Sequence, residues 1–133
     1  MKELRFQTSE RVQVLDITSE VERAVGESGV REGVCLVFVP HATAGIILNE
    51  WEPRIASDYV RFFEELVPKG DWKHNSIDDN AEAHLKSALL NAGRMIPVSS
   101  GRTVRGTWQS ILLCEFDGPR DRRVVVQVIG GKS

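Results

Sequence analysis

Short runs with strand character alternate with segments of helical period along the 133 residues, and this alternation limits the fold more than any other feature. The clearest strand is residues 33–39, a continuous apolar run with β-branched side chains that ends at Pro40. The clearest helix is amphipathic and carries Pro53 in its first turn. Its apolar residues at helical spacing are Trp51, Ile55, Tyr59, Phe62, Phe63 and Leu66.

The rest of the chain follows the same two periods. A first helix contains Val21 and Val25, with Thr18 or Ser19 as its cap. A third helix is capped by Asp79 in a capping box, and its apolar face is Ala81, Leu85, Ala88 and Leu89. Strands separated by helices predict an α+β fold with antiparallel sheets. The seven predicted strands are residues 2–8, 11–17, 33–39, 43–48, 95–98, 107–116 and 123–129.

Length and composition indicate one globular domain, residues 1–133. The net charge of −2 gives no whole-molecule attraction for nucleic acid or an anionic membrane. No apolar run reaches the length of a membrane span or a signal peptide, so a cytoplasmic location is expected. Cys35 and Cys114 each lie within a strand, and we expect both to be buried thiols.

Three histidines are the chain's only imidazoles, and each has an informative position. His41 follows a buried strand, where a strand end opens into a loop. His74 lies in a polar loop, and His84 lies on the third helix, on its apolar side. Their spacing matches no zinc signature, so each one alone also fits an ordinary hydrogen-bonded or solvated histidine.

Carboxylates and arginines offer further chemistry. Glu50 precedes the aromatic helix, and Asp78 and Asp79 precede the third helix, where they suit a hard cation or a helix cap. Arginines are frequent in the last third of the chain, and guanidinium groups suit phosphate. The turn around Gly101 and Arg102 offers backbone N–H groups to an anion, or is a solvated turn. Trp108 and Gln109 are predicted on opposite faces of a strand, one towards a core and the other towards an interface or a pocket.

Four blocks together resemble the motifs of one family of small bacterial and archaeal proteins, which is credited with a secondary thiamin-phosphate synthase activity. The blocks come in the family's order and span nearly the whole chain. They are residues 41–50, beginning with His41 and ending with Asn49 and Glu50; His74 with residues 78–86; residues 96–109, with Gly101, Arg102 and Gln109; and residues 115–120.

The resemblance implies a seven-stranded antiparallel β-sandwich with about three helices, assembled as a homotrimer. It implies an enzyme that joins a hydroxymethylpyrimidine diphosphate to a thiazole phosphate and releases diphosphate, hence a small phosphorylated substrate. It implies that His41, His74 and His84 bind a metal. Further implied site residues are Glu50 and Asp79 as catalytic groups, and Thr43, Asn49, Asn80, Arg102 and Gln109 as substrate-binding groups.

The expected metal and the competing functions stay open at this point. Three imidazoles favour zinc, whereas magnesium with diphosphate would favour Glu50, Asp78 and Asp79. A non-catalytic trimer that binds a metal or a small ligand is the alternative to an enzyme. A nucleic-acid-binding module is disfavoured by the isoelectric point of 5.9.

Overall fold

A computed structural model describes residues 1–131, and within them the chain forms three α-helices, one 3-10 turn and eight strands. The helices are α1 (Thr18–Ser28), α2 (Pro53–Leu66) and α3 (Ala81–Leu89), and the 3-10 turn is Lys73–Ser76. The strands are β1 (Lys2–Gln7), β2 (Gln13–Asp16), β3 (Glu32–Phe38), β4 (Ala44–Asn49), β5 (Gly93–Ser99), β6 (Arg102–Thr103), β7 (Ser110–Glu115) and β8 (Asp121–Gly131).

The strands form two antiparallel sheets, which confirms the predicted α+β class. The first sheet has the order β1-β8-β3-β5-β6, and the second has the order β2-β7-β4. Eight strands replace the seven predicted because β6 pairs with β5 through only two residues, Arg102 and Thr103. A two-residue strand is too short to produce a period in the sequence.

The main core lies between the two sheets and α1. Cys35 and Val37 of the first sheet pack in one cluster with Ile46 and Leu113 of the second sheet and with Val21 of α1. Both cysteines are buried and free, as predicted. Burial raises the pKa of Cys35 to about 11 and that of Cys114 to about 12, so both are neutral thiols at physiological pH.

A second core covers the other face of the three-stranded sheet. Leu112 and Cys114 of β7 pack there against Tyr59 and Phe63 of α2 and Ala83 of α3. Because β7 is covered on both faces, Ile111 to Glu115 are all buried. The five-stranded sheet differs, since its outer face carries exposed apolar side chains such as Met95, 69% exposed, and Ile129, 64% exposed.

Three local predictions were wrong. The residue before α3 is Asn80, not Asp79, and its side chain makes no capping bond, because Asn75 Oδ1 accepts from the Ala81 N–H at 2.9 Å. The buried residues of α3 are Ala81, Ala83 and Lys86, whereas Leu85 and Leu89 are exposed. Trp108 and Gln109 are both exposed in the turn before β7 and face no core.

The start of α1 also differs from its prediction. Neither Thr18 nor Ser19 is the residue before the helix, which is Ile17. Asp16 Oδ1 accepts from the Thr18 N–H at 3.0 Å instead. Gly29 ends α1 in the left-handed conformation, with φ of 73°. None of the helices within residues 1–131 is long and apolar enough to cross a membrane.

Candidate functional site

Two of the three histidines lie side by side. His74 is in the 3-10 turn and His84 is in the second turn of α3, and their ring centroids are 4.8 Å apart in an edge-to-face arrangement. Ten residues separate them in sequence, and the loop between them returns the chain to the start of α3. Two imidazoles that bind one zinc ion through nitrogens at the usual 2.0–2.1 Å have ring centres at about this separation.

Asn80 fixes the orientation of His74. The Asn80 Nδ2 amide donates to Asp117 Oδ2 at 2.9 Å, so its Oδ1 faces His74 Nε2, also at 2.9 Å. An oxygen at this distance requires the proton on Nε2, which leaves the lone pair on Nδ1 of neutral His74. Metal-bound imidazoles are typically oriented in this way, through an N–H held by a polar partner.

Asp117 connects this pair to two arginines. It lies just after β7, and its Oδ2 accepts from Arg120 Nη2 at 2.8 Å. Arg11 Nη2 lies 3.6 Å from Oδ1 and donates to the backbone carbonyl of Asp79 at 2.6 Å. Asp117 is buried, while both arginines are exposed. The carboxylate therefore holds the loop before α3 against the β7–β8 turn.

A buried ion pair supports the floor of this region. Arg122 Nε donates to Glu115 Oε1 at 2.9 Å, and Arg122 Nη2 bonds to both Glu115 Oε2 and Thr43 Oγ1. Thr8 Oγ1 also donates to Glu115 Oε1, at 2.7 Å. Burial raises the pKa of Glu115, but the bonds from Arg122, the Asp117 N–H and Thr8 outweigh it, so this pKa lies below its usual value.

Gly118 is required in the β7–β8 turn by close approach of the backbone. A Cβ at this position would lie 2.1 Å from the carbonyl oxygen of Glu10. The Gly118 N–H donates to the Arg11 carbonyl at 3.1 Å, which holds the β1–β2 loop against the turn. A side chain at residue 118 would separate Arg11 from Asp117.

His41 lies close to the start of β8. The last residue pair between β3 and β8 is Phe38–Val125, so the Arg123 N–H has no strand partner on that side. His41 Nε2 accepts this N–H at 3.0 Å. Burial lowers the pKa of His41, and Arg122, Arg123 and Arg120 lower it further against the opposing effect of Glu115. His41 is therefore neutral at pH 7 in a positive local field.

The predicted metal ligands are only partly brought together. His74 and His84 have the donor chemistry and a ring separation that suit zinc, with His84 provided by α3. His41 Nε2 is engaged by a backbone N–H. Among residues 1–131, no group of three His, Cys, Asp or Glu side chains has an arrangement that could hold a metal ion. The three-histidine set stays a prediction.

Other predicted site residues lie at the opposite end of the second sheet. β4 runs from Ala44 to Asn49, which corresponds to about 20 Å at the usual rise per residue. Thr43 is at the histidine end, and Asn49 and Glu50 are at the other end, where Asn49 pairs with Ser110. Asn49 Oδ1 accepts from the Glu50 N–H at 2.8 Å.

The last two substrate-binding predictions also fall outside the histidine cluster. Gln109 Oε1 accepts from the Gly106 N–H at 2.8 Å and so stabilises its own turn. Arg102 is in β6, after a turn whose Ser100 N–H donates to Glu32 Oε1 at 3.1 Å. The Glu32 carboxylate therefore occupies the position at which an external anion was expected.

Sequence reasoning missed Asp117, Glu115 and Arg122 as site residues. A signal was present, since Glu115 and Asp117 flank Phe116 at the end of an otherwise apolar strand. Charged residues in such a strand require partners. Arg122 supplies one across the turn that follows.

These features define a class: an α+β protein whose two sheets carry a histidine–asparagine–aspartate cluster at one end. The chain belongs to the UPF0047, YjbQ-like family, whose model matches residues 2–131. A UPF0047 protein of Archaeoglobus fulgidus is 48% identical over 128 residues, which are 96% of this chain and 99% of that protein. The UPF0047 protein YugU of Bacillus subtilis is 40% identical over 134 residues, 98% of this chain and 99% of that protein.

Solved structures of similar proteins show the same fold. A YbjQ-like protein of unknown function from Sulfolobus solfataricus P2 has a TM-score of 0.95 and 44% identity, covering 98% of this chain and 96% of that one. A hypothetical protein from Aeropyrum pernix K1 has a TM-score of 0.95 and 45% identity, covering 98% of both chains.

The comparisons correct the function implied by the sequence. The expected family is confirmed as an uncharacterised one found in bacteria and archaea. The prediction of a secondary thiamin-phosphate synthase is wrong, because the relatives are named only as uncharacterised family members and one structure is described as a protein of unknown function. The alternative, a non-catalytic metal- or ligand-binding trimer, is equally without support from them.

Proposed function

We propose that this protein is an enzyme that uses a divalent metal, preferably zinc, to act on a small phosphorylated molecule at the histidine end of its second sheet. The pairing of His74 with His84, with the His74 tautomer fixed through Asn80 and Asp117, carries the proposal. Imidazole ligands favour zinc, and magnesium would need more oxygen ligands than this pair offers.

His74 would bind the metal through Nδ1, and His84 would supply the second imidazole. A metal bound there would polarise a phosphoryl oxygen or lower the pKa of a bound water. Asn80 and Asp117 would keep His74 oriented throughout, since their bonds do not involve Nδ1. A predicted catalytic role for Asp79, which precedes Asn80, fits this end of the molecule, whereas Glu50 would need to come from another subunit.

The charge around His41 supports an anionic substrate. Arg120, Arg122 and Arg123 all act on its imidazole and together outweigh Glu115 there, although each of the three also pairs with a carboxylate, of Asp117, Glu115 and Glu3 respectively. Because Nε2 of neutral His41 accepts a hydrogen bond, its proton is on Nδ1, which makes His41 a donor. A donor in a positive field suits a phosphate oxygen.

We also propose that the protein assembles as a homotrimer through the outer face of the five-stranded sheet. Adjacent strands place Val34 beside Ile129, Leu36 beside Met95 and Phe38 beside Val125 on this face. Gln127 lies beside Leu36 between these pairs, so the surface is largely apolar, and such surfaces on a small protein typically mark an interface. A partner subunit would also cover Met95 and Ile129, which are largely exposed on this face.

Turnover of a panel of phosphate monoesters, phosphodiesters and diphosphates with zinc-loaded protein tests the enzymatic proposal. We expect hydrolysis or transfer with at least one class of compound, and loss of both activity and bound zinc in His74→Ala and His84→Ala. Arg61→Ala, at an exposed pair with Glu65, is the matched control and should keep both. Unchanged zinc content in the two histidine variants would contradict the proposed metal ligands.

Light scattering tests the assembly. The native protein should have three times the subunit mass of 14.9 kDa. Met95→Lys should dissociate it, because an ammonium group in the apolar interface lacks a partner. A monomer mass for the native protein at micromolar concentration would contradict the trimer.

A further inference from the structure

The side chain of Lys86 is buried at the floor of a cleft beside α3, and it has only 6% of its surface exposed. The cleft has a volume of about 420 Å³. Its apolar floor includes Val67 and Phe116. Five more charged residues line it, namely Arg11, Glu64, Lys69, Asp79 and Glu82.

The ammonium group of Lys86 has no hydrogen-bond or ion-pair partner among the described residues. Within residues 1–131, Glu20 Oε2 is the side-chain polar atom that is inaccessible to solvent and has no hydrogen-bond partner, so Lys86 Nζ is not inaccessible. Nζ of Lys86 therefore keeps contact with the space of the cleft, although its stem is buried. The i to i+4 spacing of Glu82 and Lys86 would permit an ion pair, but Glu82 instead accepts from Asn75 Nδ2 at 3.1 Å.

A buried ammonium group without a partner costs free energy, and proteins normally supply an anionic oxygen to it. Here the oxygen comes from whatever occupies the cleft, because Nζ faces it, and a ligand carboxylate would supply the negative charge that water lacks. A simple anion fits poorly, since three carboxylates balance the three cationic groups of the lining. Glu64 and Glu82 in particular act electrostatically on Lys86 and would repel an anion bound there.

We propose that this cleft binds a small zwitterion of the α-amino acid type, with its carboxylate on Lys86 and its ammonium group facing Glu64 and Glu82. Such a ligand gives each charge of the floor a partner of opposite sign and matches the balanced charge of the lining. A neutral molecule would leave the ammonium group of Lys86 without a counter-charge.

The cleft is distinct from the paired histidines. His84 and Lys86 are two residues apart on α3, so their side chains leave the helix about 200° apart. Arg11 is the link between the two regions, because it lines the cleft and contacts Asp117. The binding of an amino acid here does not depend on a metal at His74 and His84.

Calorimetric titration of the full-length protein with each of the twenty common amino acids tests the proposal. For the tightest binder, we expect the analogue without the amino group and the analogue without the carboxylate each to bind roughly tenfold more weakly, or worse, as loss of a charge-assisted hydrogen bond predicts. Binding of acetate or inorganic phosphate as tight as that amino acid would overturn the proposal. So would the absence of millimolar binding by all twenty.

Two variants separate a binding role of Lys86 from a structural one. Lys86→Met should lose binding and unfold at about the same temperature, because methionine keeps the apolar stem buried and Nζ makes no bond within the described residues that would be lost. Lys73→Met, on the exposed 3-10 turn, should bind normally. Unchanged binding by Lys86→Met, or a loss of fold in this variant, would overturn the proposal. Glu64→Gln provides an independent measurement on an exposed residue, and it should weaken binding of the amino acid but not of its analogue without the amino group.

Discussion

The two ends of the β4–β7 pairing differ in how their predicted site residues are hydrogen-bonded. At the histidine end, the hydrogen bonds join distant parts of the chain: His41 bonds 82 residues away, Thr43 bonds 79 residues away and Asn80 bonds 37 residues away. At the other end, Asn49 bonds to the next residue and Gln109 bonds three residues back, while the long-range bond there joins the Ile111 N–H to Thr18 Oγ1, 93 residues away. Local bonds stabilise a turn, whereas long-range bonds place side chains from separate elements around one point.

The difference indicates which end is built for chemistry. Burial of Glu115 and Arg122 at the histidine end costs desolvation free energy. Hydrogen bonds with Thr8 and Thr43 stabilise this pair. At the other end, Asn49 is exposed and its Oδ1 is satisfied by the N–H of the next residue, so its position needs no buried ion pair. We therefore place the functional site at the histidine end, and four measurements test that comparison.

The largest expected effect is on stability at the buried ion pair. Arg122→Met leaves the Glu115 carboxylate buried without its partner, and we expect a loss of about 3–5 kcal/mol in the free energy of unfolding. Arg61→Met, at an exposed pair with Glu65, is the matched control and should change the free energy of unfolding far less. Urea unfolding measures both. Equal effects of the two variants would remove the energetic distinction on which the comparison rests.

Two asparagines, one at each end, allow a direct comparison, and we expect stability losses smaller than that of the buried ion pair. Asn80→Ala removes bonds to His74 and Asp117 and should cost about 1–3 kcal/mol. Asn49→Ala removes one local bond and should cost about 0.5–1.5 kcal/mol. Thermal unfolding should rank Asn80→Ala as the less stable variant. The reverse order would mean that the Asn49 end is the more tightly organised one.

The smallest expected effect is a shift in titration. The bonds to Glu115 hold its pKa below the usual value, so we expect it to stay ionised while exposed carboxyl groups become protonated. A lowered pKa in the folded state means that its contribution to stability is present above the unfolded-state pKa of about 4.3 and is lost as the pH falls through the folded-state pKa. Carbon-13 NMR of the side-chain carboxyl groups measures this. A Glu115 pKa above the unfolded-state value would contradict it.

The sequence predicted elements better than it predicted their contacts. The apolar run before Pro40 and the aromatic helix after Pro53 were identified correctly as elements, because the first is a continuous β-branched run and the second has a strong helical period, although α2 buries only Tyr59 and Phe63 of the predicted face. The predicted buried face of α3 was wrong, because this face is made of small alanines and the stem of Lys86. Hydrophobic periodicity instead favoured the larger apolar residues Leu85 and Leu89, which are exposed.

The site was only partly predictable for a related reason. His74 and His84 were named as ligands, but no spacing rule shows that Asn80 would orient one of them. That contact depends on Asp117, which lies in another part of the chain. His41 likewise accepts the Arg123 N–H, which β3 leaves without a strand partner because β3 ends at Phe38. This arrangement exists only after β8 has paired with β3. Long-range register, which the sequence does not state, decides both.

A crystal structure of the protein with zinc, located by anomalous scattering, tests the central claim most directly. We predict one strong peak about 2.0–2.1 Å from Nδ1 of His74 and from one ring nitrogen of His84, with Asn80 still facing Nε2 of His74. A zinc peak at Asn49 and Glu50, or no zinc between the two histidines at saturating metal, would contradict the assignment of the site to the histidine end.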